Sequence, residues 1–65
     1  DFSETLLNWL QQHDGYCELG DKSDAEEIKA RFEVSKKVYK KAIGDLYRRR
    51  LIVMENGGIR LIDKV

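Results

Sequence analysis

Apolar residues recur along the chain at spacings that switch between helical and extended periods, and those switches divide it into elements. In SETLLNWLQQ, Leu6, Leu7 and Leu10 with the edge-lying Trp9 form one stripe while Asn8, Gln11 and Gln12 face water, which predicts a first helix of about ten residues. Ser3 is placed to cap its free N–H groups, and Phe2 with Leu7 has the spacing of a hydrophobic staple. His13-Asp14-Gly15 ends it, because glycine accepts the left-handed backbone of a C-terminal turn. Tyr16-Cys17-Glu18-Leu19 is short and β-compatible, a minor strand before Gly20-Asp21.

Ser23-Asp24-Ala25-Glu26 has the pattern of a capping box, so a second helix begins near Asp24 with Ala25, Ile28 and Phe32 inward and Lys29 and Arg31 elsewhere. Glu33-Val34 breaks it. Ser35 then caps a third helix running toward Leu51, and Val34 with Tyr39 repeats the staple spacing. On that helix Val38, Tyr39, Ala42, Ile43 and Leu46 share one side, and Lys36, Lys37, Lys40, Lys41, Gly44 and Arg48 the other. The period then changes to two extended runs, Leu51-Ile52-Val53-Met54 and Ile59-Arg60-Leu61-Ile62, around Asn56-Gly57-Gly58. This is a hairpin signal, with Asn-Gly predicting a type I′ turn. Two helices joined by a tight turn and followed by a hairpin predict an α+β winged helix-turn-helix: a three-helix bundle with a C-terminal β-hairpin wing and a third, minor strand. The uncharged wing tip reads as a lid over the bundle rather than a groove probe.

Charge changes the picture more than composition does. The 65 residues suit one small domain and carry no net charge. Yet residues 1–33 hold three Lys/Arg and nine Asp/Glu, and residues 34–65 hold nine and three, so the halves stand at −6 and +6. Seven of the twelve basic residues lie between positions 36 and 50, with Asp45 the single acid among them. The lone Cys17 forms no internal disulfide, and with His13 supplies too few ligands for zinc, so the expectation is a reducing, cytoplasmic setting with no metal or cofactor. No apolar run reaches the roughly 20 residues of a membrane span. The start at Asp1, without an initiator methionine, suggests a module of a larger protein.

Residues 21–52, DKSDAEEIKARFEVSKKVYKKAIGDLYRRRLI, with the closing GGIRL, resemble the C-terminal winged-helix domain of bacterial virulence factor B-type S1 RNA-binding proteins. The DKS before the second helix, the SKK opening the third, the KKAIG within it and the LY after it carry the resemblance together. It implies RNA binding, with S1-type barrels ahead of this domain in the same chain, and Lys36, Lys37, Lys40 and Lys41 toward RNA. Glu33 departs from the pattern, which commonly has glycine there.

Each candidate has a plainer competitor. Lysines and Arg48 along one helix face neutralise phosphates, giving salt-dependent and largely sequence-independent affinity; the competing reading is a solvated face. No Asn or Gln lies between Ser35 and Arg50, so base-specific reading is disfavoured. Gly44 either admits a sugar-phosphate backbone, or packs closely within the domain or is a tolerated weak point, and these readings stay open. Tyr47, on the border of the faces, is a candidate base platform. Tyr39 and Trp9 are assigned to packing. Arg48-Arg49-Arg50 complements the negative end of the helix dipole, and Arg60 and Lys64 extend the patch if they face the same way. Asp21, Asp24, Glu26 and Glu27 suit the start of the second helix or a docking surface. No nucleophile-base pair or phosphate loop is present, so the expectation is a binding module and not an enzyme. RNA is the expected partner, with duplex DNA and protein docking as alternatives.

Overall fold

The structure, a computed structural model, describes residues 1–62. Helix α1 (Phe2–Gln12) precedes a short strand β1 (Tyr16–Cys17), helices α2 (Ala25–Phe32) and α3 (Lys36–Arg48), and strands β2 (Ile52–Glu55) and β3 (Gly58–Leu61). The strands form one antiparallel sheet in the order β1-β3-β2, so the expected minor strand does complete the hairpin. Tyr16 faces Arg60 and Cys17 faces Ile59 on one side of β3, while Ile52 faces Leu61 and Glu55 faces Gly58 on the other. This is the α+β winged-helix architecture that the periodicity predicts.

The core lies between the helices and one face of the sheet. Leu6 and Leu10 from α1, Ile28 from α2, Tyr39, Ala42, Ile43 and Leu46 from α3, and Cys17, Ile52 and Ile59 from the sheet are all buried. A fully buried aliphatic or aromatic side chain contributes roughly 1.5–3 kcal/mol relative to its exposed state. The buried stripe of α3 therefore fixes that helix in rotation, and the lysine side has nowhere to point but outward. Phe2, Trp9, Phe32 and Tyr39 form an aromatic group across α1, α2 and α3, with Phe32 stacked 5.5 Å from Tyr39 and edge-on to Trp9 at 5.4 Å.

Tyr39 also ties the helices to the sheet side. Its hydroxyl donates to the Leu19 carbonyl at 2.6 Å. That single proton is thereby used, so the Cys17 thiol must be the donor in its 3.3 Å contact with the Tyr39 oxygen. Burial, and then the Cys17 contact, push the phenol well above its ordinary range, keeping it protonated.

Several local expectations are corrected. Asp1, not Ser3, caps α1: its carboxylate accepts from the Ser3 N–H at 3.0 Å, and Ser3 is buried inside the helix. An anionic acceptor at a helix start is favoured by the dipole, and the shifted start removes the Phe2–Leu7 staple register. Phe2 packs edge-on against Phe32 instead, at 5.5 Å. The capping box is not formed, since Asp24 caps α2 without a side-chain bond and the Ser23 hydroxyl accepts from Gly20 N–H at 2.9 Å. Ala25 is exposed, Phe32 is half-buried, and Ile28 is the buried residue of α2. Val38, expected inward, is exposed at the margin of the α3 packing stripe. The minor strand stops at Cys17 rather than Leu19. Finally, Gly57 takes φ 83° but Asn56 is not among the positive-φ residues, so the wing turn is not type I′; a positive φ at the second central residue belongs to type II.

Candidate nucleic-acid interface

Ser35 begins the interface as expected, its hydroxyl accepting from the Val38 N–H at 3.2 Å. From there α3 runs to Arg48 with Lys37, Lys40, Lys41 and Arg48 exposed and Lys36 half-exposed. The structure thus brings the predicted helix residues together on one surface. At its end the Arg50 N–H reaches the Tyr47 carbonyl and the Leu51 N–H the Leu46 carbonyl, both at 3.0 Å, while Arg50 takes φ 60°. That bonding pattern is a Schellman termination, which glycine ordinarily occupies at the left-handed position.

Ion pairing separates the basic residues into two groups. Arg49 bridges Asp45 at 3.1 Å and Glu4 at 3.2 Å, joining α3 to α1. Those two carboxylates raise the Arg49 pKa, and the Arg49 hydrogen bond, first among the causes, lowers that of Asp45. Arg31 pairs with Glu18, and Arg60 pairs with Glu55 at 2.9 Å while lying 4.8 Å above the Tyr16 ring. The other described Lys and Arg residues form no ion pair: Lys22 and Lys29 lie apart in the acidic half, while Lys36, Lys37, Lys40, Lys41, Arg48 and Arg50 cluster on and just after α3. Arg60 is accordingly committed to Glu55 and Tyr16 on the sheet, and Lys64 lies outside the described residues.

Gly44 lies within this surface. A Cβ built there meets no atom within 4 Å outside the helix's own neighbouring backbone, which removes close packing as its explanation. Tyr47 is 54% exposed, on the lysine side of the border. Arg50 and Val53, not among the predicted residues, line a depression with Tyr47 and Arg48: treating the arginine run as helical hid the left-handed turn at Arg50, and Val53 read only as a strand residue. Three arginines in one run, Arg48-Arg49-Arg50, look equivalent by type; Asp45 one helical turn earlier and Glu4 across from α1 single out Arg49.

Among the described residues no cluster of His, Cys, Asp and Glu is arranged to hold a metal ion, and no helix is long and apolar enough to cross a membrane.

Three helices, a three-stranded antiparallel sheet and an outward basic third helix define a winged-helix domain. The profile of the CvfB-like winged helix domain matches residues 4–61, so the chain belongs to that family. Conserved virulence factor B from Staphylococcus saprophyticus is 39% identical over 64 residues, which is 98% of this chain and 21% of that protein. The Staphylococcus aureus protein of the same name has the same identity and coverage. A crystal structure of a multidomain protein with nucleic acid binding domains from Streptococcus pneumoniae superposes with a TM-score of 0.89 at 37% identity, covering 92% of this chain and 21% of that one. The chain therefore spans about a fifth of the length of these relatives.

Proposed function

We propose that this domain binds nucleic acid, RNA in particular, with low sequence specificity, through phosphate contacts made by α3. The observation that carries the reading is a set of six cations, five on α3 and Arg50 just beyond it, that form no ion pair with a carboxylate among the described residues. Charges left unpaired along α3 and at its C-terminal turn repel each other in the free domain and are neutralised by a polyanion, with release of its counterions. Lysine is a point-charge donor suited to backbone contact, whereas reading base edges uses Asn, Gln or bidentate Arg. The Streptococcus pneumoniae protein described as carrying nucleic acid binding domains supports the same class of partner.

In this reading the domain is a binding module of a longer cytoplasmic protein rather than an enzyme, and S1-type barrels in the same chain supply further RNA contacts. Replacing Lys36, Lys37, Lys40 and Lys41 with Glu tests the surface. The variant is expected to keep its helical circular dichroism and cooperative melting and to lose RNA binding. Retained affinity in the folded variant would sink the assignment and favour docking to protein.

A further inference from the structure

We propose that the C-terminal end of α3 carries a stacking site for one unpaired nucleobase, with the Tyr47 ring as platform and Arg48 and Arg50 holding the flanking phosphates. This rests on the nucleic-acid reading of α3 and deepens it, because it specifies single strands over duplex.

Tyr47 differs from the chain's other aromatic residues. Phe2, Trp9, Phe32 and Tyr39 pack on one another, and Tyr16 lies beneath Arg60. Tyr47 makes no such ring contact among the described residues and is 54% exposed, although it sits directly beside the core stripe. Beside it opens a cleft of about 450 Å³ lined by Tyr47, Arg48, Arg50, Ile52, Val53 and Ile62. The depression is open rather than enclosing, which suits one face of a flat base, and its lining combines apolar residues with two arginines. Base faces are apolar and phosphates anionic, so the lining matches a nucleotide on both counts.

Arg50 supplies a second, independent observation. Its φ of 60° places it in the left-handed region, where a non-glycine side chain costs about 1–2 kcal/mol. No ion pair among the described residues repays that strain. The dipole-compensating and interhelical role falls to Arg49, which bridges Glu4 and Asp45. Arg50 is therefore an arginine in a glycine position, and it lines the cleft beside Tyr47. A planar five-donor guanidinium grips a phosphate in a forked geometry that lysine does not offer. Paired bases are stacked inside a duplex and cannot reach Tyr47; a duplex engages only the cations.

The test measures affinity of the complete chain for a short single-stranded RNA and for a duplex RNA of matched phosphate count, at one salt concentration. Tyr47→Ala is expected to weaken single-strand binding about tenfold, the usual loss of one base–aromatic stack, and to leave duplex binding unchanged. Tyr47→Phe keeps the ring and should bind as the parent does. Arg50→Gly should weaken single-strand binding while its melting temperature stays level or rises, which excludes unfolding as the cause. Equal losses on both RNAs, or an unchanged single-strand affinity in Tyr47→Ala, would overturn the stacking site while leaving the phosphate surface intact. A parent that binds neither RNA would overturn both.

Discussion

Gly44→Ala separates what the fold needs from what the surface does. Gly44 sits in the interior of a 13-residue helix, with ordinary helical backbone and no atom within 4 Å of a built Cβ beyond its own helix. Glycine in a helix interior is about 0.8–1.0 kcal/mol less favourable than alanine, because it has more backbone freedom to lose. With no steric cost to offset this, the alanine variant should be more stable by about 0.5–1 kcal/mol. For a domain of this size that is a rise in melting temperature of roughly 2–8 °C. Thermal unfolding followed by circular dichroism, with urea titration for the free energy, measures it directly. A lower melting temperature would mean that something packs on Gly44 and that the open surface described here is wrong. The same variant probes the interface, since a methyl group on this face lifts a sugar-phosphate backbone away from α3. RNA affinity is expected to fall several-fold while stability rises; unchanged affinity would make Gly44 a tolerated weak point and remove it from the interface.

Other substitutions test the framework that holds this surface. Tyr39→Phe strands the Leu19 carbonyl and the Cys17 thiol and should cost about 1–3 kcal/mol in urea unfolding, since each buried polar group then lacks a partner. An unchanged midpoint would show that the pair is reached by water. Glu33→Gly removes a left-handed glutamate at φ 59° and should stabilise by about 0.5–1 kcal/mol; a loss would mean that the Glu33 side chain contributes a contact of its own. The Arg49 hydrogen bond lowers the Asp45 pKa. Its stabilisation is therefore present above the unfolded value near 3.9 and lost as pH falls through the folded one. Asp45→Asn should flatten the acid side of the melting-temperature profile below about pH 4 relative to the parent, and an identical acid limb would assign that limb to other carboxylates.

Element order was legible because three helical stripes and one pair of extended runs differ in period, and each period belongs to a different backbone. The lysine side of α3 followed from the same arithmetic: once Tyr39, Ala42, Ile43 and Leu46 are inside, Lys37, Lys40, Lys41 and Arg48 are outside. Caps were less legible. Asp1 and Ser3 are both competent acceptors, and the Ser23 hydroxyl takes the Gly20 N–H rather than one of α2, so the choice depends on where the chain enters each helix. Val38 shows the limit of a two-sided wheel, since a residue at its margin is buried only if a neighbour arrives there. In the arginine run, the i,i+4 spacing from Asp45 marks Arg49 in the sequence, but its second partner, Glu4, lies 45 residues away and is visible only in the fold. The Tyr47–Arg50 cleft depended on a Schellman turn at an arginine, a conformation that composition does not announce.

The most direct test of the account is fluorescence anisotropy of this domain with single-stranded RNA and with duplex DNA of matched length across a salt series. Three to five phosphate contacts predict a log–log slope of roughly −2 to −3.5 on the single strand, with RNA bound at least as tightly as DNA. Replacing the four lysines with glutamate should flatten that slope. No binding at low salt, or a slope indifferent to the lysines, would contradict a phosphate-binding α3.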